Sequence, residues 1–487
     1  MNEPGTMEHF DVLIVGAGLS GIGAAHHLQA AFPGRTYEIL EARDAIGGTW
    51  DLFRYPGVRS DSDMHTLGYS FRPWRGEKAI AEGATILQYL EDTAREHGLD
   101  RQIRYGHRLT RAAWSTDEAL WTATVARDDA EPLTIRARFL LMCGGYYDYA
   151  AGHQPDFPGL ERFRGRLVHP QHWGEDIDWA GKRIVVIGSG ATAVTLVPAL
   201  AERAAHVTLL QRSPTYMISR PSVDALEQHL RPVVGARLAH SVARWRNVLM
   251  QLWVFRLARK RPERVRNFLI RMVKEQLGPG YDVATHFTPR YNPWQQRLCL
   301  VPDGDLFRSV RDGRVEVVTD EIAAFTETGV ALKGGRTLEA DLVVSATGLR
   351  MKVLDGVALE VDGRRMQPSE AVSYRGAMFA GVPNFASVFG YTNASWTLKA
   401  DLVSRYVCRI LNRMRRTGVR IVMPRPVDPA MPRLPWVDFT SGYFQRALGG
   451  LPKQGPDAPW KLNQNYLADI VALRWRRLDD GVLQFVP

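Results

Sequence analysis

Apolar residues in this chain gather into short runs that end on glycine. Val12-Leu-Ile-Val runs into Gly16-Ala-Gly18-Leu-Ser20-Gly21, and Arg183-Ile-Val-Val-Ile into Gly188-Ser189-Gly190-Ala191-Thr192-Ala193. Phe139-Leu-Leu-Met-Cys ends at Gly144-Gly145, and Asp341-Leu-Val-Val-Ser-Ala-Thr ends at Gly348. Such runs predict buried strands, the first two each turning into a helix of small residues. Between Leu109 and Arg138 polar and apolar positions alternate with turn residues, which predicts a small antiparallel sheet inserted in the first unit. A helix is expected near 86–97. A further one is expected within 231–274, where Leu238, Val242, Trp245, Leu249 and Leu252 fall at alternating steps of four and three.

At 487 residues the chain is too long for one core. The strand-then-glycine endings near 145 and 348 predict crossovers. We divide the chain into a first unit over 1–145, a second over 146–347 that carries a basic helical segment at 221–290, and a return over 348–487. The predicted class is α/β, with two Rossmann-like dinucleotide-binding domains, the second inserted in the first, and a helical excursion. The start, Met1 to His9, is polar, and no apolar stretch reaches the ~20 residues that span a bilayer. Three cysteines (Cys143, Cys299, Cys408), far apart and odd in number, imply no disulfide framework, so a reducing cytoplasm is expected. No metal site is expected.

The formal net charge is +10. Residues 231–274 hold twelve Lys/Arg against the single acid Glu263, a local balance of +11, and so account for the excess. A basic amphipathic helix can lie on an anionic membrane, which would be peripheral contact at the inner face of the cell membrane. It can also shape an electropositive cofactor channel, or simply present a solvated face. Nucleic acid is not an expected partner, because no recognition module accompanies the charge.

The two glycine loops differ at one telling position. After the first, the strand Tyr37-Glu-Ile-Leu-Glu41 ends in an acid 20 residues beyond Gly21. A carboxylate there accepts hydrogen bonds from both ribose hydroxyls and repels a 2′-phosphate. After the second, His206-Val-Thr-Leu-Leu-Gln211 ends in Arg212-Ser213. A guanidinium at that corner suits a 2′-phosphate bidentately. The economical assignment is FAD on the first loop and NADPH on the second, with each pyrophosphate at a helix N-terminus. Leu109, where the chain is expected to re-enter a strand, is a candidate backbone contact to adenine.

Two further patterns carry a resemblance. Phe163-Arg-Gly165-Arg-Leu-Val-His169-Pro-Gln-His-Trp173 precedes the second loop, and Gly47-Gly48-Thr49-Trp50 is followed by Tyr55-Pro56-Gly57 and Asp61. With these the chain resembles the type I Baeyer–Villiger monooxygenases, within the larger group of flavin-containing monooxygenases. Gly174 follows Trp173 where that family usually has Pro or Asp. The resemblance implies oxidation of ketones to esters through a C4a-peroxyflavin, with S-oxidation of thioethers or thioamides as a second activity. It implies that Arg297 stabilises the developing anion, that Asp61 orients Arg297, and that Gly48, Thr49 and Trp50 lie near the flavin with Arg59 on the NADP side. His169 and Trp173 are read as linker residues that couple domain motion to NADP, not as catalysts. Trp396 and Lys399 receive no role.

Rival readings differ in what they need. A disulfide reductase requires two nearby cysteines, and no Cys-x-x-Cys or Cys-x₄-Cys pair exists. A heteroatom-oxidising flavin-containing monooxygenase stands as the alternative. A non-catalytic flavin redox sensor, or a membrane-docked scaffold, is the more remote one.

Overall fold

The computed structural model describes residues 7–128 and 130–487. Its first sheet is built on β1 (Glu8–Val15), β2 (Tyr37–Leu40), β3 (Ile103–Arg104), β4 (His107–Ser115), β5 (Leu120–Arg127) and β6 (Ala130–Met142). Their order is β4-β5-β6-β1-β2-β3. β1 pairs in parallel with β2 and β6, so that Val12 lies opposite both Tyr37 and Phe139. Both faces of β1 are covered, and Val12, Leu13 and Ile14 are fully buried. That coverage is why this strand reads as a continuous apolar run and not as an alternation.

The alternating stretch after Leu109 forms antiparallel strands inside the first unit, joined to its main sheet. β4, β5 and the first half of β6 make an antiparallel meander, and β6 then continues without a break beside β1. Its burial alternates up to Arg138 and becomes continuous from Phe139 to Met142, so one 13-residue strand serves both pairings. The expected helix near 86–97 spans Gly83–Glu96, and the chain re-enters a strand at Ile103, ahead of Leu109.

A second, all-parallel sheet runs in the order Val315–Thr319, His206–Gln211, Arg183–Ile187, Leu342–Ser345, Arg166–Val168. The chain then rejoins the first sheet. Ala358–Val361 pairs in parallel with β4, and Phe385–Ser387 with the end of β6. Asn384 secures that return from a fully buried position, donating from Nδ2 to the carbonyls of Arg138 (2.8 Å) and Arg420 (2.9 Å) and accepting from Val422 N (2.7 Å).

The Phe163–Trp173 element fastens the edge strand Arg166–Val168. Phe163 packs on Phe325 with ring centroids 5.6 Å apart, and a Cβ on Gly165 would sit 2.8 Å from the Asp341 carbonyl. His169 places Nε2 3.1 Å from the Gly348 carbonyl, and Trp173 packs on Trp179 at 5.8 Å. His169 therefore binds the crossover itself.

The basic segment is three helices, not one: Ala225–Val234, Ala236–Lys260 and Pro262–Leu277. Gly235 at φ +80° breaks the first junction, and Pro262, which lacks an N–H, starts the third helix. The long middle helix crosses to the first unit, where Arg244 Nη1 donates to the carbonyls of His65 (2.7 Å) and Gly68 (3.0 Å).

Candidate active site

Each glycine loop opens a cleft at the carboxyl end of its sheet, where α/β folds bind ligands. The first cleft is lined by Gly16, Gly18, Ser20, Glu41, Gly48, Leu109 and the Cys143–Gly145 turn. Backbone approaches backbone closely there: Gly16 sits at φ +102°, and a Cβ on it would lie 2.9 Å from the Cys143 carbonyl. Gly48, at φ +56°, would place one 3.2 Å from Gly18 Cα. A floor of bare main chain beside a helix N-terminus suits a pyrophosphate. Glu41 is buried, and its Oε2 accepts from Ala17 N (2.8 Å) and Oε1 from Arg43 N (3.0 Å). Burial pushes its carboxyl above the usual range, against the two backbone bonds and nearby Arg43. A carboxylate has about four acceptor sites, so two remain for ribose hydroxyls.

The second cleft has a volume of about 850 Å³ and is lined by Gly188, Ser189, Gly190, Ala191, Thr192, Arg212 and Ser213. Arg212 is exposed at its rim. Ser189 Oγ donates to the Ser213 carbonyl at 2.9 Å, closing the loop onto the next strand's end. Arg59 lines the same cleft while paired with Asp305, and its Nη2 is buried without a partner among the described residues. That unspent donor fits an anionic ligand.

Two expected contact residues face neither cleft. Gly21 and Ala193 are buried inside their helices, and Ala193 has no exposed surface. A Cβ at Gly21 would fall 1.9 Å from the Gly16 carbonyl. The third small residue of each motif thus serves the packing of helix on strand.

The two clefts meet. Thr49, Trp50, Ser60, Asp61, Tyr147 and Arg297 line both. Arg297 and Asp61, 236 positions apart, are joined there by a 2.7 Å bond from Nη1 to Oδ2. Both keep about a third of the side chain open (32% and 36%), and that open surface faces the cleft. Arg297 Nε is buried and has no partner among the described residues. Burial opposes the arginine's charge, but Asp61 and the hydroxyls of Tyr443, Tyr146 and Tyr147 hold its pKa above the usual value. Arg297 stands two residues before the strand Cys299–Pro302, after a turn in which Trp294 takes φ +66°. Gln295 anchors that turn, its carbonyl accepting from Thr440 N and Oγ1, both at 2.9 Å.

Sequence reasoning overlooked the tyrosines of this junction. Tyr146 and Tyr147 follow the Gly144-Gly145 turn, with hydroxyls 3.1 Å apart. Tyr149 lies 3.3 Å from Thr49 Oγ1, and burial pushes its pKa up to about 12. Tyr443 enters the second cleft from the return segment. The run Tyr146-Tyr147-Asp-Tyr149 directly after a glycine turn was the available signal. Trp396, left without a role, lines the first cleft and donates from Nε1 to Ser20 Oγ at 2.7 Å. Lys399 is buried in an ion pair with Asp469.

Two clefts, each opened by a glycine loop of the dinucleotide-binding kind, thus share an Arg–Asp wall. Residues 78–356 match the flavin-binding monooxygenase-like family and residues 14–75 an NAD(P)-binding Rossmann-like domain. The chain belongs to the flavin-binding monooxygenase-like family, as the resemblance implied. It is 52% identical to the FAD-containing monooxygenase EthA of Mycolicibacterium smegmatis, covering 98% of this chain and 97% of that one. It is 48% identical to a probable FAD-binding monooxygenase, AlmA, of Acinetobacter baylyi, over 98% and 96% of the two chains. Its fold matches a steroid monooxygenase bound to NADP with a TM-score of 0.72 at 25% identity, covering 86% of this chain and 88% of that one.

Proposed function

We propose that this flavoprotein monooxygenase uses FAD, NADPH and O₂ to convert ketones to esters, with oxidation of thioether or thioamide sulfur as a second activity. The observation that carries this reading is the shared wall: an arginine held by an aspartate where the two dinucleotide clefts join. Ketone, O₂, NADPH and a proton give ester, NADP⁺ and water. Bound FAD supplies the acceptance of hydride from NADPH and the activation of O₂.

This chain's residues supply position and charge. Gly16, Gly18, Ser20, Gly48, Thr49, Trp50 and Leu109 form the flavin nucleotide's bed, and Glu41 takes its ribose. Ser189, Gly190 and Thr192 receive the NADP pyrophosphate at the N-terminus of the helix Ala191–Leu200, with Arg212 and Ser213 at the 2′-phosphate and Arg59 nearby. Arg297 offers its guanidinium charge to oxygen anions that develop at the junction. Preorganised donors of this kind stabilise such charge without reorganising. Asp61 fixes the guanidinium through Nη1. Trp50, Tyr146 and Tyr147 surround the junction with aromatic surface. By the same reading the enzyme is cytoplasmic, with segment 231–274 in contact with the inner face of the cell membrane.

Mass spectrometry of products, with phenylacetone and a thioether offered together, tests the reaction. Ester from the ketone supports the reading. Sulfoxide alone favours a heteroatom oxidase, and NADPH oxidation without either product points to a redox sensor.

A further inference from the structure

The long helix Ala236–Lys260 buries polar groups beside Ala239, Ala243, Val248, Leu252 and Ala258, and leaves large apolar side chains in solvent. Its buried face carries His240, Arg244 and Asn247, at 3%, 8% and 3% exposure. Arg244 and His240 are engaged with the first unit: Arg244 binds two carbonyls, and His240 lies 3.3 Å from His65, Nδ1 to Nδ1. The neighbouring Arg246 pairs with Asp224. The opposite face carries Leu238, Val242, Trp245, Leu249 and Trp253, exposed by 40–64%. An apolar stripe ordinarily faces the core, and a row of large apolar side chains in solvent marks a surface that something covers.

Charge says what covers it. Arg256, Arg259, Lys260, Arg261 and Arg264 gather where the row ends, and all are exposed. On the next helix Phe268, 58% exposed, stands between Arg264 and Arg271, one turn to either side. Apolar side chains bordered by arginines match the boundary between acyl chains and anionic headgroups. We infer that the row Leu238–Val242–Trp245–Leu249–Trp253 inserts into an anionic lipid surface, with the basic cluster at 256–264 seated on the headgroups. This deepens and rests on the membrane-contact reading of segment 231–274, and it is independent of the catalytic one. On its inner side the helix packs Val248 and Leu252 against Tyr391, which lines the first cleft. The helix that carries the row is therefore packed, on its inner side, against a residue of the first cleft.

The test is co-sedimentation of the holoenzyme with vesicles of phosphatidylcholine alone or with about 30% phosphatidylglycerol, read by flavin absorbance. Binding to the anionic vesicles is expected, weakened by salt. Leu249→Asp and Trp253→Asp, both at exposed positions, should weaken it by about tenfold or more, leaving flavin content and turnover of a water-soluble ketone unchanged. If the two Asp variants bind as well as the parent while Arg256→Glu with Arg259→Glu does not, the segment touches membrane by charge alone and the insertion is overturned. Vesicle binding absent in the parent overturns both the insertion and the membrane-contact reading. Light scattering that shows a dimer, dissolved by the Asp variants, would then assign the row to a second copy of this chain.

Discussion

Replacing Arg297 by alanine separates binding from chemistry, and the structure says by how much. The guanidinium makes one protein bond, to Asp61 at 2.7 Å, and both partners keep about a third of their side chains open. Its loss leaves Asp61 solvated in the cleft, so stability should fall by no more than about 1 kcal/mol. The glycine bed and Glu41 are untouched, so FAD content should stay at the parent's level. What disappears is the preorganised positive charge at the junction, and removal of one such donor typically costs about 10²–10³ in rate, or 2.7–4 kcal/mol. Anaerobic stopped-flow absorbance measures flavin reduction by NADPH, and chromatography measures ester formed per NADPH consumed. Reduction should persist within a small factor while ester yield collapses. Arg297→Lys, which keeps the charge but not the planar fork, should fall between the two. Ester formation by Arg297→Ala at the parent's rate would refute the assignment, as would a protein that cannot take up FAD.

Arg212→Ala should raise KM for NADPH by about tenfold or more while leaving KM for NADH nearly unchanged, since only NADPH carries the phosphate a guanidinium binds bidentately; equal rises would sink that role. Gly21→Ala should yield protein depleted of FAD, seen in the ratio of flavin to protein absorbance, because its Cβ would fall 1.9 Å from the Gly16 carbonyl. Lys399→Met strands the buried Asp469 with Tyr391 OH (2.6 Å) and Asn463 Nδ2 (3.2 Å) as its remaining side-chain partners. Denaturant unfolding should show a loss of about 3–5 kcal/mol, with much of it recovered in Lys399→Met/Asp469→Asn. Burial, reinforced by His65, Arg244 and Arg231, lowers His240 from 6.5 to about 4. The neutral ring is the folded form, so its contribution is fully present above pH 6.5 and is lost as pH falls from 6.5 through about 4. His240→Gln should flatten the pH dependence of stability in that window, and an unchanged slope would place the titration elsewhere.

The nucleotide loops were legible because their chemistry is local. A strand, a glycine turn, a helix start and the residue ending the next strand lie within about 30 residues, and backbone geometry ties them together. Glu41 and Arg212 could be read from their own segments for that reason. The second half of β6 was legible as a buried run. Its continuity with the meander was not, because alternation and full burial look like two elements when they occupy one strand.

The sequence by itself therefore settled the two dinucleotide loops, their contrasting corner residues and the family. It named Arg297 and Asp61 only as separate candidates, since 236 residues of chain carry no information on whether two side chains meet. Folding decided that they share a wall, that Tyr147 and Tyr443 stand beside them, and that Gly21 and Ala193 pack away from the clefts. It also decided which way the row from Leu238 to Trp253 points. Periodicity defines an apolar face, but its direction depends on what the rest of the helix must satisfy. Here the carbonyls of His65 and Gly68 take Arg244 inward, and the apolar row is left facing out.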